Sequence, residues 1–175
     1  MSISGREWFW LMEANSKKLA LDTNVVLDLA SGSDAVHDFR ETFQRRGYAL
    51  FLPPTVIEEL AYQRLEEAVA KAALAARALA SLRIWKLVPL PPSSLGRAIA
   101  RQFARRLIEK RLLASEEVHD GMILAETSAA GIPVLVSADN HLLGIDELAL
   151  HLACNEADLD RVVVMHPRNM LRALR

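Results

Sequence analysis

Gly131-Ile132-Pro133-Val134-Leu135-Val136-Ser137-Ala138-Asp139 is the stretch that decides the fold. Pro133 opens the run, and Val134-Leu135-Val136 is an apolar stretch bounded by small residues, which suits a short buried strand. Pro133–Ser137 therefore reads as a strand that delivers Asp139 just past its end. Leu19-Ala20-Leu21 is a second run of the same kind and ends at Asp22. Both runs are continuous rather than alternating, which is the pattern of parallel strands covered on both faces.

The neighbouring segments fit the same plan. Asn24–Ala30 reads as a helical turn broken by Ser31-Gly32-Ser33, and Asp34 as the cap of a helix over Ala35–Arg46 that Gly47 stops. Tyr48–Leu52 is a strand. Thr55 with Glu58 three residues later has the form of a capping box, opening a helical stretch of about 55–84 that is either one helix or two. Trp85–Leu90 is a further strand, and Pro91-Pro92-Ser93-Ser94 opens a helix to about Leu113. Ser115 is positioned to cap a helix that runs to Ala130 and stops at Gly131. Short helices over Asn140–Leu143 and Asp146–Leu152, a strand at Val162–Met165 and a helix over Pro167–Arg175 complete the chain. Alternating strands and helices predict an α/β fold: three layers, α/β/α, around a mainly parallel sheet.

The chain has 175 residues, half of them hydrophobic, enough for a single domain with a full core. The expectation is one domain over 1–175 with a short N-terminal extension (1–17). The formal net charge of −1 gives no global basic signature of a nucleic-acid binder, although charge can cluster locally. One cysteine, Cys154, rules out an internal disulfide framework and reads as a small buried hydrophobe. No run reaches the roughly 20 apolar residues of a membrane span, and the start is a poor signal peptide. A cytoplasmic protein with no membrane partner is expected. The aromatic cluster Trp8-Phe9-Trp10 can cover the core or pack against a second copy, so a homodimer is compatible with it.

Asp22 and Asp139 arrive at one edge of the sheet on separate strands, where doubly wound sheets bind ligands. Glu58 and Glu59 begin the helix that leaves the second strand, and Asp120 lies near the start of the helix that feeds the strand before Asp139. Taken singly, each has an ordinary explanation as a cap, a turn or a solvated face. Four at matching ends of successive elements make a site candidate.

These segments resemble a known family. LALDTNVVLDLA, FLPPTVIEEL and HDGMILAETSAAGIPVLVSAD look, in that order, like the motifs of PIN domains, over roughly Leu19 to Met165. The resemblance implies a parallel sheet of about five strands with helices on both sides, and a metal-dependent nuclease, usually acting on RNA. It implies Asp22, Glu59, Asp120 and Asp139 as the acids, catalytic and metal-binding together. Glu59 matches better than Glu58 because Leu60 follows it, and Glu58 then serves the cap. Thr23, Asn24 and Ser137 match polar positions that orient the acids or hold metal-bound water. A common role within the family is the toxin of a toxin–antitoxin pair, with a small antitoxin protein as partner. Two features depart from the compact family pattern: the N-terminal extension, and the long Leu60–Ile84 stretch, which has the length to form a projecting arm.

Phosphodiester hydrolysis needs an activated water and relief of phosphate charge, and carboxylates alone repel the anion. Mg²⁺ or Mn²⁺ supplies both through oxygen ligands. The five histidines lack zinc-site spacing, and His119 and His141 read as surface or partly satisfied residues. Arg97, Arg101 and Arg105 recur at helical spacing, either as an RNA-binding stripe or as a solvated face. The alternative function is a non-catalytic PIN-fold module binding RNA or protein. A receiver-like phosphoryl-transfer protein fits poorly, because no suitable Lys follows a late strand, and a Gly-rich phosphate loop is absent.

Overall fold

Five short apolar strands form the centre of the computed structural model, which describes residues 17–66 and 68–174. Among these residues the elements are β1 (Lys18–Leu21), α1 (Thr23–Ser31), α2 (Asp34–Arg45), β2 (Ala49–Leu52), α3 (Pro54–Gln63), α4 (Val69–Ser81), β3 (Leu87–Pro89), α5 (Ser94–Glu109), α6 (Val118–Ala129), β4 (Val134–Val136), α7 (Asn140–Leu143), α8 (Glu147–Glu156), β5 (Val163–Met165) and α9 (Pro167–Ala173). The N-terminal extension with Trp8, Phe9 and Trp10 lies outside the described residues.

The sheet order is β3-β2-β1-β4-β5, and every pairing is parallel. Order reverses between β1 and β4, where Leu21 pairs with Val136. Beyond that pair the ladder gains one more bond, Asp22 N–H to the Val136 carbonyl at 2.9 Å. The crevice of a doubly wound sheet opens at this reversal, so Asp22 and the residues after Val136 enter it together. Leu19, Ala20, Leu21, Leu50, Leu52, Leu135 and Val136 are almost wholly buried, as a sheet covered on both faces requires. Phe39 and Phe43 stack at 4.8 Å on one side of it.

Two packing details set the helices that carry acids. Gly121 follows Asp120 and lies against Ala104 of α5; a Cβ at 121 would stand 2.7 Å from the Ala104 Cα. Only glycine permits this approach, which seats the first turns of α6 on α5. The second detail is a carboxylate clamp. Glu126 of α6 accepts from both Thr55 N–H (3.0 Å) and Thr55 Oγ1 (2.8 Å) at the start of α3.

That clamp corrects the capping box. Pro54 takes the first helical position, so the cap falls on Pro53, which makes no side-chain cap bond. Thr55 is one residue too late to cap, and its N–H is satisfied from another helix. Glu58 instead pairs with Arg97 at the surface. Other caps shift similarly. Asp34 lies inside α2, behind Ser33, because the turn at Gly32 (φ 86°) returns the Ser33 N–H to the Asp28 carbonyl and starts the next helix one residue early. Ser115 does not cap α6; Glu117 holds that position, and the Ser115 hydroxyl donates to Glu116. The helix expected from Pro91 begins at Ser94, capped by Ser93, whose Oγ accepts from Gly96 N–H.

The stretch expected over about 55–84 breaks into α3 and α4 and does not project as an arm. Ala75 and Ala78 of α4 are buried, and Arg77 donates to the Ala30 carbonyl at the end of α1. Small side chains let α4 lie close on its neighbours. Trp85, expected in a strand, is a buried side chain in the turn before β3. Cys154 is buried in α8. Among the described residues, no helix is long and apolar enough to cross a membrane.

Candidate functional site

Asp22 stands at the β1–α1 junction and caps α1 with its own side chain. It is 3 % exposed. A buried carboxylate must be hydrogen-bonded, and Asp22 is: one oxygen accepts from Thr23 N–H at 2.7 Å, the other from Asn24 Nδ2 at 2.8 Å and Ser137 Oγ at 2.7 Å. Burial nevertheless pushes its pKa up from 3.8 to about 6. The Ser137 and Thr23 bonds pull it down, while the charges of Glu59 and Asp139 add to the rise.

Ser137 links the two central strands. Its hydroxyl donates to Asp22 and accepts from the Asp139 N–H at 3.0 Å. Asn24 spans the same gap, accepting from Ala138 N–H at 3.0 Å. Asp139 then caps α7, accepting from His141 N–H at 2.6 Å. The loop after β4 is thus held to the β1–α1 junction by side chains from both, Ser137 from one and Asp22 and Asn24 from the other.

Glu59 reaches the same place from α3. One oxygen accepts a short bond from Thr23 Oγ1, and the other meets His119 Nδ1 at 3.0 Å. Asp120, one residue after His119, is half-buried and without a hydrogen-bond partner among the described residues. Its carboxyl is pushed up to about 7, first by desolvation and then by the charges of Asp22, Asp139 and Glu59, in that order. These three carboxylates therefore lie within electrostatic reach of Asp120, although they come from separate parts of the chain.

The donor set is all oxygen, and it holds more negative charge than the local hydrogen bonds neutralise. That chemistry fits a hard divalent cation such as Mg²⁺ or Mn²⁺, and Asp120 offers an unpartnered ligand. Among the described residues, no group of three or more acids, His or Cys is drawn together tightly enough to be a formed metal site. Clustered carboxylates repel, and here Asp22, Glu59 and Asp139 each turn toward a donor of their own.

The other sequence candidates lie apart from this cluster. Glu58 is exposed and engaged with Arg97. Arg101 and Arg105 are exposed on α5 beside Arg97. Sequence reading missed Glu117, whose carboxylate accepts from Ala114 N–H at 2.9 Å and pairs with His141 Nδ1. Its signal was its spacing: three residues before Asp120, on one helix face. His119 and His141, expected to be surface or partly satisfied residues, have exposed side chains, and each pairs with an acid at the rim.

A family model described as PIN domain matches residues 19–148. Among solved structures, the chain resembles VapBC2 from Rickettsia felis bound to a DNA fragment from their promoter, with a TM-score of 0.59 and 15% identity over 85% of this chain and 98% of that one. It also resembles FitAB bound to the IR36 DNA fragment, with a TM-score of 0.50 and 19% identity over 85% of this chain and 94% of that one. At such identities these likenesses speak to the fold. No curated protein matches the sequence significantly.

Proposed function

This chain belongs to the PIN-domain family, whose members are generally nucleases, and we propose that it is a metal-dependent endoribonuclease. Asp22, Glu59, Asp120 and Asp139 would hold Mg²⁺ or Mn²⁺. The observation that carries this reading is Asp120: a carboxyl with no hydrogen-bond partner among the described residues, raised to about 7 by burial and by three other acids. Without a cation such a group takes up a proton rather than bear its charge; a bound cation favours the charged form, and acids perturbed in this way cluster at functional sites.

Bound divalent cation supplies a water of lowered pKa and relief of charge on the phosphate. The chain's own residues do the rest. Thr23, Asn24 and Ser137 hold Asp22 and the Asp139 loop in place before anything binds, so little ordering remains at the moment of reaction. Thr23 also orients Glu59. His119 stands against Glu59 at the solvent side, where it can meet an incoming phosphodiester. Arg101 and Arg105 offer a backbone-tracking surface along α5.

VapBC2 and FitAB, the similar structures, support a toxin role paired with a small antitoxin protein. A cleavage assay on single-stranded RNA tests the enzymatic reading. The native chain cleaves with Mg²⁺ or Mn²⁺, stops with EDTA, and is inactive as Asp22→Asn, which remains folded. RNA left intact by the native chain under all these conditions would reject the nuclease and leave a PIN-fold binding module.

A further inference from the structure

An open pocket of about 570 Å³ lies between the α5–α6 loop and α7, within the range of small-ligand sites. Leu112 and Ile145 give it an apolar wall, Arg111 and Asn140 bring polar groups, and Glu117 and His141 also line it. Those last two residues border the acid cluster as well. Glu117 stands at the cap position of α6, three residues before Asp120, His141 follows Asp139 by two, and Glu117 and His141 pair with each other. The pocket therefore begins where the acids end.

We propose that this pocket is a nucleotide subsite, seating the nucleotide next to the scissile phosphate. It rests on the reading of the chain as a ribonuclease. The base lies against Leu112 and Ile145, the Asn140 amide reads its edge, and the Arg111 guanidinium pairs with its phosphate. A guanidinium suits a phosphate by its planar fork, and unstacked ribonucleotides are read by hydrogen bonds to their base edges.

Charge supports the assignment. A phosphate nearing four carboxylates needs compensating cations; on α5 and the turn after it, Arg101 and Arg105 line a different hollow, and three others are engaged. Arg97 is held by Glu58. Arg106 donates to the Glu156 carbonyl and Lys110 pairs with the Glu156 carboxylate. Arg111 and Asn140 have no side-chain partner among the described residues.

The backbone makes the idea separable from stability. Arg111 sits in the left-handed region at φ 59°, where its N–H returns to the Ile108 carbonyl and the Leu112 N–H to Leu107. Glycine fits that helix end better. Lys86 and Asp158 adopt the same conformation elsewhere, so the conformation alone marks no site. It does mean that Arg111→Gly removes the guanidinium while easing the backbone.

The test is fluorescence anisotropy of labelled hexaribonucleotides on the Asp22→Asn chain, alone and with Arg111→Gly, Arg111→Lys or Ile145→Trp added. Arg111→Gly is expected to weaken binding about tenfold and lower the salt slope by about one, with a melting temperature equal to or above its parent's. Arg111→Lys falls between, and Ile145→Trp weakens binding by filling the pocket. Binding by Arg111→Gly within about twofold of its parent, with an unchanged salt slope, overturns the subsite while leaving the ribonuclease standing. If the Asp22→Asn parent binds no hexamer and the native chain cleaves no RNA, both readings fall together.

Discussion

Asp120→Asn should stabilise the metal-free protein and abolish its response to metal. The native carboxyl sits at about 7 against an ordinary 3.8. At about 1.4 kcal/mol per pH unit, that gap penalises the ionised folded state by roughly 4 kcal/mol. Asp120 is only partly buried, and solvent screening reduces the figure to about 2 kcal/mol. The sign follows from linkage. A native pKa above the unfolded one means that the penalty is absent below about pH 4, grows between about 4 and 7, and is complete above about 7. Thermal melts in EDTA measure this directly. At pH 8 Asp120→Asn should melt roughly 4–8 °C above the native chain, at about 2–4 °C per kcal/mol for this size. Near pH 4 the two should coincide. Asparagine is close in shape, and Asp120 gives up no hydrogen bond among the described residues, so the comparison isolates charge. A variant less stable than the native chain at pH 8 would refute the electrostatic reasoning, because it would make the Asp120 carboxylate a stabilising group.

Other perturbations separate the supports of the site. Ser137→Ala removes the 2.7 Å donor to Asp22 and the acceptor for Asp139 N–H; melts should show a loss of about 1–3 kcal/mol at pH 8 and a smaller loss near pH 4, where Asp22 is protonated. Glu126→Ala leaves Thr55 N–H and Oγ1 unpaired between α3 and α6; urea denaturation should register about 1–3 kcal/mol, with weakened metal affinity because the helices of Glu59 and Asp120 are no longer clamped. Reversing Arg101 and Arg105 to Glu should weaken RNA binding and flatten its salt dependence, read by anisotropy across a salt series.

What the sequence disclosed and what it hid divide along a physical line. Val134-Leu135-Val136 and Leu19-Ala20-Leu21 were readable because a buried parallel strand is written as a local apolar run. Asp22 and Asp139 were readable because Asp22 follows β1 directly and Asp139 stands just past the end of β4, in the turn that leaves it. The helix caps were less legible. Thr55 and Glu58 have the spacing of a capping box, yet Pro54 fixes where α3 begins, and Glu126, 71 residues away in sequence, takes the Thr55 N–H. One helix or two were both open over about 55–84, and the place of the break was not legible, since Ala-rich sequence favours helix at every position and packing on α1 decides where α4 lies. Glu117 and His141 belong to elements whose proximity is set by the sheet order, so neither residue announces the other. Gly121 looks like an ordinary helix-weakening glycine until Ala104 is found against it.

The account turns on whether divalent cation reconciles carboxylates that otherwise repel. Melting the native chain at neutral pH against rising Mn²⁺ measures that directly. Saturable stabilisation is predicted, about 2.7 kcal/mol at a hundredfold excess over Kd, and no such rise in Asp22→Asn. A native transition that millimolar Mn²⁺ and Mg²⁺ both leave unmoved would contradict the account at its root.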